Sequence, residues 1–152
     1  MEEFIVTSIG FGLVVSLIFS EIFGIAAGGM VVPGYFALYL DQPLVIINTL
    51  FIAYLSYAIV RTFSSFMIIY GRRRTVLMII TGFMLGAMLR QFTQTYIADS
   101  SIELNVIGYI IPGLIAIWID RQGLVETISV LSIASVIVRL GLIILNGGDL
   151  LP

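Results

Sequence analysis

The chain has 152 residues, of which 60% are hydrophobic and 11% charged, with a mean hydropathy of +1.15 and a net charge of −2. Soluble domains carry about 25% charged residues, so an ordinary soluble domain is excluded and a single integral membrane domain over residues 1–152 is expected. Cysteine, histidine and lysine are all absent, which excludes a Cys/His metal site, a Ser-His-Asp triad, a thiol nucleophile, a P-loop and a Schiff base.

The chain opens with Met1-Glu2-Glu3-Phe4, acidic where a secretory signal needs a basic region, so the first apolar stretch, about 4–20, is expected to stay as an anchor. Further apolar stretches lie at about 25–40, 44–61, 75–91, 105–119 and 124–145. Each break between them carries turn chemistry or charge: SEIFG at 20–24, DQP at 41–43, YGRRR at 70–74, QFTQTYIADSSIEL at 91–104 and DRQG at 120–123. Several stretches are short, since 16 or so residues of helix reach only about 25 Å against a hydrocarbon core of about 30 Å.

The second and fifth stretches hold the most unusual residues. GMVVPGYFALYLD at 29–41 and GYIIPGLIAIWID at 108–120 share one pattern 79 residues apart, matching Gly29, Pro33, Gly34 and Asp41 with Gly108, Pro112, Gly113 and Asp120. A proline followed by glycine is expected to break a membrane helix. The third and sixth stretches run on to Ile59-Val60-Arg61 and Ile137-Val138-Arg139. The prediction is therefore an all-α membrane fold of about six segments, in two inverted three-segment repeats at about 4–61 and 75–145, each with a Pro-Gly-broken helix.

Arg72, Arg73 and Arg74 form the concentrated charge of the chain. By the positive-inside rule they place the 70–74 loop in the cytoplasm. Six spans then put the N-terminus, DQP, the Asp99/Glu103 loop and the C-terminal NGGDLLP outside and DRQG inside. A four-span arrangement with both Pro-Gly segments re-entrant also fits, and it places both termini inside. In either case Arg72, Arg73 and Arg74 are candidate docking residues for a cytoplasmic partner. Pro33, Gly34, Pro112 and Gly113, with Arg61, Arg90 and Arg139, are candidates for lining a path for an anionic chain. Asp41 and Asp120 read as helix-terminating caps or partner contacts. On opposite membrane faces they cannot form an aspartyl dyad, and no catalytic or metal-binding residue is assigned. The tyrosines and Trp118 read mostly as interfacial belt residues.

The run SLIFSEIFGI, then GMVVPGY with DQP after it, FMIIYGRRR, and GYIIPGLIA followed by DRQG resembles the small membrane subunit of bacterial poly-γ-glutamate synthase, the CapC or PgsC family. The likeness covers nearly the whole chain in order. It implies a multi-pass subunit of the bacterial cytoplasmic membrane, non-catalytic and without a cofactor, in a complex that makes and exports poly-γ-glutamate. The implied partners are a Mur-ligase-like ATP-dependent amide ligase in the cytoplasm, an outward-facing accessory subunit, the anionic polymer and membrane lipid, with no nucleic acid. Without the resemblance, the repeat equally allows a stand-alone small transporter or channel.

Overall fold

The computed structural model describes residues 2–96 and 107–148. All regular structure among them is helical: α1 (Glu2–Phe23), α2 (Val32–Leu38), α3 (Pro43–Phe66), α4 (Arg72–Tyr96), α5 (Ile111–Gln122) and α6 (Leu124–Leu145). Four of these, α1, α3, α4 and α6, are long and apolar enough to cross a membrane. The Asp99/Glu103 loop and residues 149–152 lie outside the described residues.

Three boundaries differ from expectation. The helix α3 runs on to Phe66, so Arg61 lies within it rather than at its end. The arginine triplet is no loop but the first turn of α4, which also takes in Gln91–Tyr96. Arginine is a good helix former, and nothing in RRRTV breaks one. The third difference concerns the Pro-Gly pairs, which open helices instead of breaking them. Pro33 and Pro112 are each the second residue of a short helix, α2 of 7 residues and α5 of 12. There the missing N–H is one that has no intrahelical partner anyway. At 1.5 Å per residue these helices are roughly 10 and 18 Å long, too short to cross alone.

The chain divides into two compact units. Unit 1 comprises Met1–Asp41 with Gln122–Pro152, and unit 2 comprises Gln42–Arg121. Unit 1 therefore holds α1, α2 and α6, and unit 2 holds α3, α4 and α5. Neither follows the halves of the sequence pattern, because each takes two consecutive helices from one half and the third helix from the other.

In both units small polar side chains are buried among the apolar core and many large apolar ones are exposed, unlike a soluble fold. Ser8, Ser16, Thr49, Ser56, Thr127 and Ser135 are buried, while Val14, Leu17, Ile22, Phe51, Phe83 and Leu140 are exposed. In lipid there is no hydrophobic force between helices, so close packing through small side chains takes its place. The core of unit 1 is Val15, Ala27, Ala37, Ala134, Val138 and Leu142. That of unit 2 is Val60, Met78, Ala116 and Ile117.

Each unit has one point where backbones nearly touch. A Cβ on Gly12 of α1 would lie 2.6 Å from the Gly34 nitrogen, and one on Gly34 would lie 2.8 Å from the Ser8 carbonyl oxygen. In unit 2 a Cβ on Gly82 of α4 would lie 2.6 Å from the Gly113 nitrogen, and one on Gly113 would lie 2.7 Å from Ile79 Cα. These neighbours are backbone and cannot swing aside. Gly12→Ala, Gly34→Ala, Gly82→Ala and Gly113→Ala are each expected to destabilise the protein by about 1–3 kcal/mol, the cost of overpacking. At Gly10 and Gly86 an added Cβ would meet no heavy atom within 4 Å, so alanine there is expected to be neutral or stabilising by up to about 1 kcal/mol. Thermal unfolding in detergent separates the two groups.

Candidate functional site

The short helices are seated by a chain of contacts that runs antiparallel to the preceding long helix. In unit 1 Ser16 Oγ donates to the Gly29 carbonyl (3.2 Å) and Ser8 Oγ to the Gly34 carbonyl (2.9 Å). Farther along, Leu38, Tyr39 and Asp41 border a cavity shared with Glu3 and Thr7 of α1. The stretch from Gly29 to Asp41 therefore passes along α1 toward its N-terminus. In unit 2 the corresponding stretch passes along α4. Arg90 Nη1 donates to Tyr109 Oη (2.8 Å), Gly82 meets Gly113, and Arg74 pairs with Asp120.

The segment before α2 is not helical, so its peptide groups need other partners. Gln122 supplies two bonds to one residue: its Oε1 accepts from the Ala26 N–H (3.1 Å) and its Nε2 donates to the Ala26 carbonyl (2.6 Å). Gln122 is held in turn by Thr127 Oγ1, which accepts from Nε2 at 3.2 Å. In unit 2 Thr49 Oγ1 accepts from the Ile107 N–H (3.0 Å). Gly28 and Gly29 have φ of 70° and 122°, values that L side chains rarely adopt.

The residues expected to line a path are placed differently from one another. Pro33, Gly34, Pro112 and Gly113 are buried in the contacts just described. Arg139 is buried too; it donates to the Ala37 carbonyl (2.9 Å) and pairs with Asp41 (2.5 Å). Arg61 and Arg90 are exposed and lie against the rings of Tyr57 and Tyr109, at 5.7 and 5.2 Å from the ring centres. Two belt-type tyrosines thus carry cations. Asp41 and Asp120 are ion-pair partners of Arg139 and Arg74, within units 1 and 2 respectively, a role that reading them as helix caps missed.

Of the triplet, Arg74 is half-buried and committed to Asp120, whereas Arg72 and Arg73 are exposed. Cations at a helix N-terminus oppose its dipole, so helix stability does not account for their position. Beside Arg72 and Arg74 lies a cavity of about 610 Å³, bordered also by Gly71, Thr75, Asp120 and Arg121. With three guanidiniums against one carboxylate, it suits carboxylate or phosphate oxygens. The cavity of unit 1, about 570 Å³, has Glu3 and Asp41 instead.

Sequence reasoning missed the partners of the Pro-Gly segments. Their signal was the small-residue spacing Ser8, Gly12, Ser16 in α1 and Gly82, Gly86 in α4, the pattern through which membrane helices approach closely. It was eclipsed by the prolines.

The two ion pairs differ in a testable way. The Arg139 side chain is 11% exposed and that of Asp41 is 70% exposed, so losing Asp41 strands a buried cation while losing Arg139 leaves a carboxylate that water can solvate. Asp41→Asn is expected to cost about 2–4 kcal/mol and Arg139→Gln about 1 kcal/mol, with the double variant close to Arg139→Gln. Unfolding of the three variants in detergent gives the comparison.

The geometry can be set beside known proteins. The family model described as "Capsule biosynthesis CapC" matches residues 11–128. The chain is 44% identical over 117 residues to the "PGA biosynthesis protein CapC" of Bacillus subtilis (strain 168), an alignment covering 76% of this chain and 78% of that one. It is 46% identical over 118 residues to the "Capsule biosynthesis protein CapC" of Bacillus anthracis, covering 77% and 78%. No solved structure matches. The matched segment contains both Pro-Gly helices, both glycine contacts and the Arg74–Asp120 pair, and the chain belongs to the capsule biosynthesis CapC family.

Proposed function

We propose that this chain is the non-catalytic membrane subunit of a poly-γ-glutamate synthase and export complex, anchoring an ATP-dependent amide ligase at the cytoplasmic face and bordering the exit path of the polymer. The observation that carries the reading, beside family membership, is charge segregation. Unit 2 holds six of the seven arginines against three carboxylates, and unit 1 holds one arginine against six. The net charge of −2 conceals a basic unit suited to a polyanion and an acidic one that is not.

The membrane topology follows the same lines. The stretch from Phe23 to Asp41 leaves the C-terminal end of α1 and arrives beside its N-terminal end, which supports a crossing made of a non-helical lead-in and a half-helix. The stretch to Asp120 beside α4 supports the same. With α1, α3, α4 and α6 this makes six crossings. The recurring sequence pattern and the matching glycine contact in each unit support two inverted repeats that exchange their third helices.

The arginines then divide by role. Arg72 and Arg121, both exposed beside the polar cavity, are the docking charges for the ligase. Arg61 and Arg90 border the polymer path, where each lies on an aromatic ring and makes no ion pair among the described residues, leaving its charge for the polymer's carboxylates. The Pro-Gly helices shape that path rather than line it.

Two double variants separate the roles. Arg72→Gln with Arg121→Gln is expected to lower ligase co-purification about fivefold or more, at up to about 1 kcal/mol per exposed charge, with insertion unchanged. Arg61→Gln with Arg90→Gln is expected to leave co-purification intact and reduce released polymer. Normal polymer synthesis and release in cells lacking this chain would contradict the reading and favour a stand-alone transporter.

A further inference from the structure

Beside α3 and the first turns of α4, unit 2 contains another cavity, of about 380 Å³, within the usual size range of ligand pockets. Its walls are hydrophobic, among them Ile59, Phe63, Met67 and Leu77, with Thr81 its one uncharged polar residue and Arg73 its one charge. An adjoining recess of about 400 Å³ shares Arg73 and Leu77 with it and adds Arg72. Arg74, the next residue, is neutralised by Asp120, whereas Arg73 is exposed and makes no ion pair among the described residues.

An apolar cavity that ends at an uncompensated guanidinium is matched by an amphiphile with a negative head. An aqueous anion gains nothing from the hydrophobic walls, and a zwitterionic lipid makes poor use of the cation. We propose that this cavity binds an anionic phospholipid, with its phosphate on Arg73 and one acyl chain between α3 and α4. The position agrees with the positive-inside orientation, because anionic lipid is enriched on the cytoplasmic leaflet and basic pockets between membrane helices hold such head groups there. Arg73 is thereby distinguished from Arg72 and Arg121, which border the polar cavity.

The test uses the full-length chain, delipidated in detergent and titrated with phosphatidylglycerol or phosphatidylcholine of the same acyl chains, with bound lipid read by native mass spectrometry. Phosphatidylglycerol is expected to bind about tenfold more tightly. Arg73→Gln should weaken it about fivefold, Arg73→Lys should retain most of it, and Leu77→Trp, which fills the cavity and leaves every charge in place, should weaken it as well. Arg121→Gln, which borders only the other cavity, should change it less than twofold. Equal binding of the two lipids, a loss with Arg121→Gln as large as with Arg73→Gln, no effect of Leu77→Trp, or displacement of the lipid by inorganic phosphate at constant ionic strength would each overturn the proposal.

Discussion

A helix of seven residues cannot satisfy its own backbone, and in lipid nothing else will do so unless protein is packed against it. The near contact of Gly12 with Gly34, and of Gly82 with Gly113, is what makes such a helix possible here. It brings the short helix close enough for Ser8 to reach the Gly34 carbonyl and for Ser16 to reach that of Gly29. The side chain of Gln122, returning from the far end of the sequence, then satisfies both peptide groups of Ala26. The non-helical lead-in, the short helix and its polar end all depend on two glycines without side chains.

The same close seating decides which charges are available. Asp41 ends the α2 segment where Arg139 of α6 can reach it, and Asp120 ends α5 where Arg74 can. Two of the seven arginines are thereby committed to holding helices together. Those that make no ion pair among the described residues, Arg61, Arg72, Arg73, Arg90 and Arg121, all belong to unit 2. In the proposed function, an anionic polymer crossing a membrane faces a desolvation cost of several kcal/mol per charge, which exposed cations held on aromatic rings would lower without closing around the chain. A buried arginine already bonded to an aspartate contributes little to that task. Which arginines are available for the proposed function is therefore set by whether a carboxylate lies near the end of the adjacent short helix.

Much of this was legible in the sequence. Composition alone identified a membrane protein, and the repeated pattern of 29–41 and 108–120 marked the two segments on which the fold turns. The local chemistry of proline was legible too, but not its position in the helix. A break and a first turn look alike until the helices are known to start at Val32 and Ile111, one residue before each proline. Asp41 and Asp120 were recognised as segment ends, yet their partners lie 98 and 46 residues away, and pairing over such separations has no periodic signal. The grouping of α6 with α1 and α2, and of α3 with α4 and α5, was illegible for the same reason. Ser8, Gly12 and Ser16 did carry a signal in their four-residue spacing, and it is the one feature that a closer reading of the sequence recovers.

Central to the proposed topology is that the residues between α1 and α3 cross the membrane as a non-helical lead-in followed by a half-helix. The chain has no native cysteine, so single cysteines at Glu21 and Gln42, both exposed, can be labelled with a membrane-impermeant maleimide in intact and in permeabilised cells. Labelling of Gln42→Cys in intact cells, with Glu21→Cys reacting only after permeabilisation, is the outcome the account requires. Reaction of both positions from the same side would contradict it and make the Pro-Gly segment re-entrant.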